Sequence, residues 1–295
     1  MIQNNLFYCK NKDIYPPFKN GLYLEEYFLK KYKEYTEKNI ITKRKYIPAL
    51  WTNFQIEGWF ANKKPEMQTA LNNWVAANPS ENGYFTVVQY DDGPLLLLPA
   101  NTIVYGACSG NIPIPLIYED INNTLSKIKQ KKFNEKSILC SFIGNITANH
   151  IIPNVRQLLF EKFKNNHNFI IINSGGWTPN VNTQNQDIFI NNTINSKFAF
   201  APRGYGRSSF RFFEIFLLGS IPIYIWNDEN WLPFQNIIDY DKLCISMHIS
   251  QINELENQLL NITEEKYNLM LKYYNEIKHL FELEGMTNQI INNNL

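Results

Sequence analysis

The sequence predicts an α/β protein, parallel sheet with helices on both faces, arranged in two domains. Three observations carry that expectation. Between residues 137 and 226, strand-like and helix-like runs alternate at the rhythm of βαβ units, which bury a parallel sheet between helix layers. In the first half, short β-branched and aromatic runs are separated by turn signals and one helical stretch. A chain of 295 residues is long enough for two compact domains, each with its own core.

Taken in order, KYIPALW (45–51) predicts a strand, and PEMQTALNNWVAANP (65–79) a helix with Met67, Leu71, Trp74 and Val75 on one face. YFTVVQY (84–90) predicts a strand that stops at the turn signal Asp91-Asp92-Gly93-Pro94. NTIVYGAC (101–108) and IPIPLIY (112–118) are two further extended segments. The polar stretch from Glu119 to Lys136 has no large aromatic until Phe133 and suits a connection between domains. Beyond it come the strand SILCSFIGN (137–145), the amphipathic helix VRQLLFEKFKN (155–165) and the strand NFIIINSGGW (168–177). SKFAFAPRG (196–204) runs from strand into loop, a helix from about Ser209 to Leu218 ends at Gly219, and SIPIYIW (220–226) is the next strand. The expected domains are 1–130 and 131–265. A terminal helical segment, 266–295, packs across the molecule and continues the amphipathic run Glu264 to Leu283.

Composition narrows the function classes. Hydrophobic residues are 44% and charged residues 19%, a globular balance, and the net charge of +1 shows no basic stripe for nucleic acid. Cys9, Cys108, Cys140 and Cys244 are too far apart for a zinc or redox motif. No apolar run follows a basic start, so neither signal peptide nor membrane anchor is expected, and the cytoplasm is the expected compartment.

Residues 198–234 carry the most chemistry. An apolar strand empties into Pro202-Arg203-Gly204-Tyr205-Gly206-Arg207, and Ser208 or Ser209 is placed to cap the next helix. A helix N-terminus beyond a Gly-rich loop offers backbone N–H groups and a positive dipole end to phosphate oxygens. Arg203 and Arg207 add cations able to bind phosphate through two nitrogens, and Glu214, further along the helix, suits ribose hydroxyls. The competing possibility is a dinucleotide fold, since Gly204-x-Gly206-x-x-Ser209 approximates the Gly-rich fingerprint, with Asp228 and Glu229 downstream. A purely structural alternative pairs Glu214 with Arg211 on the helix face.

The runs Pro202-Arg203-Gly204-Tyr205-Gly206, Ser209-x-Arg211-x-x-Glu214, Gly219-x-Ile221-Pro222 and Leu232-Pro233-Phe234 together resemble the C-terminal signature of the exostosin family of glycosyltransferases. Phe142-x-Gly144 followed by Arg156 is similar to the opening of that family's donor domain. Tyr90-Asp91-Asp92-Gly93-Pro94 resembles its His-Asp-Trp-Gly-Pro element, with Tyr90 in place of His and Asp92 in place of Trp, and Ile114-Pro115 resembles its Ile-Pro step. The resemblance covers most of residues 45–260. It implies two Rossmann-like domains facing a cleft, the GT-B arrangement, with an acceptor-side N-terminal domain and a C-terminal domain that binds a nucleotide sugar, commonly UDP-linked. It implies an inverting transfer to a glycan hydroxyl, with Arg203 and Arg156 on the diphosphate, Gly204, Ser208 and Ser209 at the phosphate-binding loop and cap, and Glu214 on the ribose. A compact form without anchor or second domain suits a bacterial or viral enzyme.

An inverting transfer needs a base for the acceptor hydroxyl and positive charge for the leaving diphosphate. Asp91, at the end of a predicted strand, is the first candidate base and Asp92 the alternate. Arginines and a helix dipole supply the positive charge, so no metal is expected. Asp239-Tyr240-Asp241 lies outside the Gly-rich loop, and His150, His167, His248 and His279 show no ligand spacing. Loops around Asn145, Gly175-Gly176-Trp177 and Tyr205 are candidate sugar contacts, and Trp51, Trp59 and Trp177 candidate stacking platforms or core residues. Two other functions stay open from sequence: a non-catalytic nucleotide-sugar or glycan-binding module, and an NAD(P)-dependent oxidoreductase.

Overall fold

The computed structural model describes residues 1–10, 21–121, 123–147, 153–176 and 182–295. The chain divides into two compact units, one of residues 1–119 with 279–295 and the other of residues 120–278. Each is an α/β unit on one parallel sheet, of four strands in the first and five in the second. No described helix is long and apolar enough to cross a membrane, and all four cysteines are free thiols.

The first unit begins with helix α1 (Leu24–Glu37) and strand β1 (Lys45–Tyr46), then helices α2 (Trp51–Gln55) and α3 (Phe60–Ala77). Strands β2 (Tyr84–Val88), β3 (Thr102–Gly106) and β4 (Ile112–Pro113) follow, and the sheet order is β1-β2-β3-β4. Two predicted strands are shorter than expected for one reason. Pro48 in KYIPALW and Pro113 and Pro115 in IPIPLIY have no N–H with which to extend a ladder. The chain therefore leaves the sheet early, and Trp51 opens a helix instead of ending a strand. Helix α3 starts at Phe60, five residues before the predicted Pro65, because Phe60 is buried in the apolar cluster with Phe54, Met67 and Leu71. Trp51 is fully buried there and donates its indole N–H to Thr86 Oγ1 at 2.7 Å, so it is a core residue and no stacking platform.

One buried carboxylate ties this unit together. Glu25, in the first turn of α1, accepts the Thr52 N–H (3.0 Å) and hydroxyl (2.6 Å) at the start of α2 and the Gln89 N–H (2.6 Å) just past β2. Burial pushes its pKa up to about 7 from 4.5, although these donors and the Thr52 hydroxyl pull the other way. Between those two pH values the folded unit binds the proton more readily than the unfolded chain, so stability falls as pH rises through the window. The loss is on the order of 3 kcal/mol at most. Urea midpoints between pH 4.5 and 8 are expected to show this slope, and Glu25→Gln to remove it. The neighbouring charges are Glu26 on α1 and the buried Tyr46 phenol on β1, the latter held protonated throughout.

The second unit contains strands β5 (Ile138–Gly144), β6 (Phe169–Asn173), β7 (Ser196–Phe200), β8 (Ile221–Trp226) and β9 (Ile245–His248). Its helices are α4 (Val155–Phe163), α5 (Thr183–Ile194), α6 (Phe210–Leu217), α7 (Tyr240–Leu243), α8 (Leu255–Leu260) and α9 (Glu264–Ile277). The order β6-β5-β7-β8-β9 puts Pro222 inside an interior strand, which normally excludes proline. Register explains the exception. The Ile223 and Ile225 carbonyls accept the Ala201 and Arg203 N–H groups just past the end of β7, so Pro222 faces the β9 side, where pairing starts only at Ile223 with Ile245. Phe198, Phe200, Phe212, Phe216 and Tyr267 fill the core, each phenylalanine contributing roughly 1.5–3 kcal/mol by leaving water. Helix α9 closes that core, with Tyr274 stacked on Phe216 at 4.2 Å and the Tyr267 hydroxyl donating to the Gly219 carbonyl at 2.9 Å. The last helix, α10 (Leu283–Asn292), belongs to the first unit, where Asn294 donates to the Tyr105 hydroxyl at 3.0 Å.

Candidate functional site

Counted within the second unit, the strand order is 2-1-3-4-5. In such a sheet the chain departs in opposite directions from the first and third strands, and the crevice beyond their carboxyl ends is where ligands bind. Here those strands are β5 and β7, whose carboxyl ends lead into Gly144-Asn145 and Ala201 to Gly204. Helices α4 and α6 start at the same edge of the sheet. Asn154 caps α4 by accepting the Gln157 N–H at 3.2 Å, and Ser209 caps α6 by accepting the Arg211 N–H at 3.3 Å. Two helix N-termini, with their positive dipole ends, thus flank one crevice.

Arg156 spans that crevice. Its Nε donates to the Arg203 carbonyl and its Nη1 to the Asn145 carbonyl, both at 3.2 Å, joining the ends of β7 and β5. The guanidinium lies so close to Gly204 that a Cβ there would stand 2.6 Å from Nη2. Gly144 has the same duty toward Arg211, whose Nη2 would meet an added Cβ at 2.9 Å. Both glycines leave room for the close approach of an arginine, and an added Cβ would make the guanidinium shift. The Asn145 side chain closes the loop after β5 by accepting the Thr147 N–H at 2.8 Å and hydroxyl at 2.6 Å.

Arg203 is buried, at 8% exposure, and its guanidinium donates to Asn227 Oδ1 (3.0 Å) and the Tyr205 carbonyl (2.8 Å). It also forms an ion pair with Asp228, which a second arginine shares: Arg207 Nε stands 2.9 Å from the same carboxylate, and Arg207 Nη1 3.2 Å from Glu229. Partial burial pushes the Asp228 carboxyl up, but hydrogen bonds from Arg203 and Arg207 outweigh it and hold the pKa down at about 2. Asp228 and Glu229, the acids a dinucleotide fold would offer to ribose, are engaged with these arginines instead. Tyr205 is exposed and Ser208 half-buried in the loop between.

Glu214 lies in the second turn of α6 and is buried, as are Phe212, Phe213, Ile215 and Phe216 of the same helix. An ionised carboxylate in such surroundings is costly without compensation. Arg211 supplies part of it: burial pushes the Arg211 guanidinium down from its ordinary value, and the Glu214 charge opposes that. Arg211 lies between the rings of Phe142 and Phe189, at 5.2 and 5.0 Å from their centroids. Contacts run from Asn145 through Arg156 to Gly204 and Arg203, while Arg211, which feels the Glu214 charge, lies beside Gly144 at the end of β5.

A match to the Exostosin GT47 domain model covers residues 74–262, more than half of the 295 residues. The chain belongs to the exostosin GT47 family of glycosyltransferases. Part of the chain is also similar to two proteins from Arabidopsis thaliana: "Probable glycosyltransferase At3g07620", 32% identical over 84 residues, and "Probable glycosyltransferase At5g25310", 31% identical over 88 residues. The aligned parts are 28% and 30% of this chain, and only 17% and 18% of the length of those relatives.

Among the exostosin-signature residues, Asn145, Arg156, Arg203, Gly204 and, through Arg211, Glu214 are brought together in the second unit. Asp91, half-buried, and Asp92, exposed, belong to the first unit, in the turn after β2 where Gly93 (φ 72°) donates to the Tyr90 carbonyl at 3.0 Å. Burial raises the Tyr90 phenol, with the Asp92 and Asp91 charges adding to it. His150 and Trp177 lie outside the described residues. Asp239 pairs with Lys242 at 2.8 Å beside the short helix α7. Among the described residues no group of three or more His, Cys, Asp or Glu side chains is placed to hold a metal ion. Sequence reasoning missed Asn227 and Asp228 as anchors of Arg203, and the strap made by Arg156. Both are pairings between elements, and only the Gly204 and Gly144 positions hinted at the close approaches they allow.

Proposed function

We propose that this exostosin-family chain is an inverting glycosyltransferase of the GT-B type, built on two Rossmann-like units, which moves a sugar from a UDP-linked donor to a glycan hydroxyl. The observation that carries the proposal is the crevice at the β5–β7 switch point, flanked by the N-termini of α4 and α6 and spanned by Arg156, with Arg203 in the loop just beyond β7. That combination suits a diphosphate: helix N-termini and guanidinium forks stabilise phosphate oxygens without proton transfer. Glu214 is assigned to the ribose hydroxyls, and Gly204, Tyr205, Ser208, Ser209 and Asn145 to the surrounding donor contacts.

In the reaction, Asp91 takes the proton of the acceptor hydroxyl as its oxygen bonds to the anomeric carbon. The bond from that carbon to the β-phosphate oxygen breaks, its electron pair stays with the oxygen, and UDP leaves. Charge develops on the departing diphosphate, where Arg203, Arg156 and the α6 N-terminus stabilise it more strongly in the transition state than in the bound donor. No metal is assigned a role.

Thermal unfolding in millimolar UDP, GDP, CMP, NAD or NADP, with and without chelator, tests the donor half. A nucleotide at a hundred times its dissociation constant stabilises the fold by about 2.7 kcal/mol. UDP alone is expected to raise the transition, chelator to leave that rise intact, and Glu214→Ala to abolish it. A rise with NAD or NADP, or none with any nucleotide, would overturn the donor assignment. Loss of the UDP effect in chelator would overturn metal independence.

A further inference from the structure

Glu25 (2% exposed), Gln55 (6%) and Gln89 (1%) are among the polar side chains buried in the first unit. Each polar group taken from water without a partner destabilises the fold, so a core that needed only packing would hold apolar residues here. All three act on one stretch of chain, Gln89 to Leu95, which leaves β2 and has no ladder of its own. Glu25 accepts the Gln89 N–H at 2.6 Å, and the Gln89 side chain donates to the Ile117 carbonyl at 2.8 Å. Gln55 uses both ends of its amide on the far side of the turn, donating to the Gly93 carbonyl at 2.9 Å and accepting the Leu95 N–H at 2.6 Å. The two holds are themselves coupled, because Glu25 also accepts the Thr52 N–H at the start of α2, the helix that ends with Gln55. Asp91 sits midway between them, two residues after Gln89 and two before Gly93.

We propose that Glu25 and Gln55 are positioning residues for the transfer reaction, which fix the place of the Asp91 carboxylate by clamping the backbone on either side of it. The inference rests on the assignment of Asp91 as base. A free turn of seven residues would present that carboxylate over a range of positions, whereas proton transfer needs it within hydrogen-bond reach of the acceptor hydroxyl. Neither clamp touches the substrate. Glu25→Gln keeps the shape but turns an amide N–H₂ toward donors that need an acceptor. Gln55→Met keeps the length and removes both hydrogen bonds.

The test is UDP release from UDP-xylose, UDP-galactose, UDP-glucuronic acid and UDP-arabinose by the full chain, with amide hydrogen exchange and UDP affinity measured in parallel. Each clamp variant is expected to lower kcat about 10–100-fold, as misplacement of a reacting group by about 1 Å does. KM and UDP affinity are expected to stay within twofold, and faster exchange to be confined to residues 84–95. In an Asp91→Asn background the clamp variants are expected to add no further loss, since a residue acting through Asp91 has nothing left to position. A further loss on top of Asp91→Asn, a KM that moves with kcat, or a wild-type rate in both clamp variants would overturn the inference while leaving Asp91 as base. A wild-type rate in Asp91→Asn alone would instead overturn the base assignment. Should Glu25→Gln fail to fold, Gln55→Met carries the same comparison.

Discussion

Asp91→Asn is expected to lower UDP release about 10³-fold, within the 10²–10⁴ range that a positioned general base contributes. That is a rise of about 4 kcal/mol in the barrier. Asparagine has the same shape, and the turn keeps its Gly93 φ of 72° and its hold from Gln55, so the fold should not change. What disappears is the carboxylate charge and with it the basicity: an amide oxygen does not take a proton from a hydroxyl at neutral pH. UDP affinity is expected to be unaffected, because the proposed donor contacts belong to the second unit. Asp92→Asn, at the exposed neighbour, is expected to change the rate only a few-fold, roughly what loss of one surface charge does. If the large loss followed Asp92 instead, the base would be reassigned; if it followed neither, an aspartate base in this turn would be excluded.

Gly106→Ala is expected to be the most damaging single methyl group in the first unit. Strands β3 and β4 are parallel neighbours, with Tyr105 opposite Ile112, yet few residues join them. The chain must double back tightly, and Asn111 locks it by donating its N–H to the Val104 carbonyl at 2.8 Å and accepting the Val104 N–H at 2.8 Å on its side chain. A Cβ on Gly106 would stand 1.7 Å from the Ser109 carbonyl oxygen and 2.7 Å from its carbon. Those are backbone atoms, so no side chain can swing aside. Relief requires the turn to open, which breaks the Ala107 N–H to Val88 carbonyl bond and the Ile114 N–H to Gly106 carbonyl bond. The expected loss is about 3 kcal/mol or more, at the severe end for a point mutation. Gly58→Ala, where an added Cβ meets nothing within 4 Å, is the control and should stay within about 0.5 kcal/mol of the parent. Equal stability of the two variants, measured by urea titration, would show that the turn opens at little cost.

The segments most legible in the sequence are those whose signal is local. The apolar run into β7, the glycine loop, the Ser209 cap and the almost wholly apolar helix α6 are consecutive in the chain, and all stand where their residues predicted. Helix α5 (Thr183–Ile194) went unread because its sequence, TQNQDIFINNTI, is mostly polar. It is fixed by Asn182, which accepts the Asn185 N–H, and by burial of Phe189 and Thr193 against the sheet. In the candidate site, the arginines and Glu214 were legible as residue types in a motif. Their partners were not: Arg203 meets Asp228 across 25 positions, and Glu25 meets Gln89 across 64. Pairings of that reach leave no periodicity or spacing to read, and they arise only when sheet order brings strand ends together.

The final helix has a consequence for biosynthesis. Residues 279–295 complete the first unit, where α10 packs on α1, Tyr35 donates to Asn288 at 2.8 Å and the Lys43 N–H reaches the Asn294 carbonyl at 2.6 Å. On the ribosome, residues 120–278 emerge after most of the first unit and before the helix that finishes it. The second unit has all its strands in hand and folds as one continuous piece, while the first waits with the seat of α10 open to water. The half made first is therefore the half finished last, and during that interval the apolar face of α1 is the surface a chaperone would have to cover.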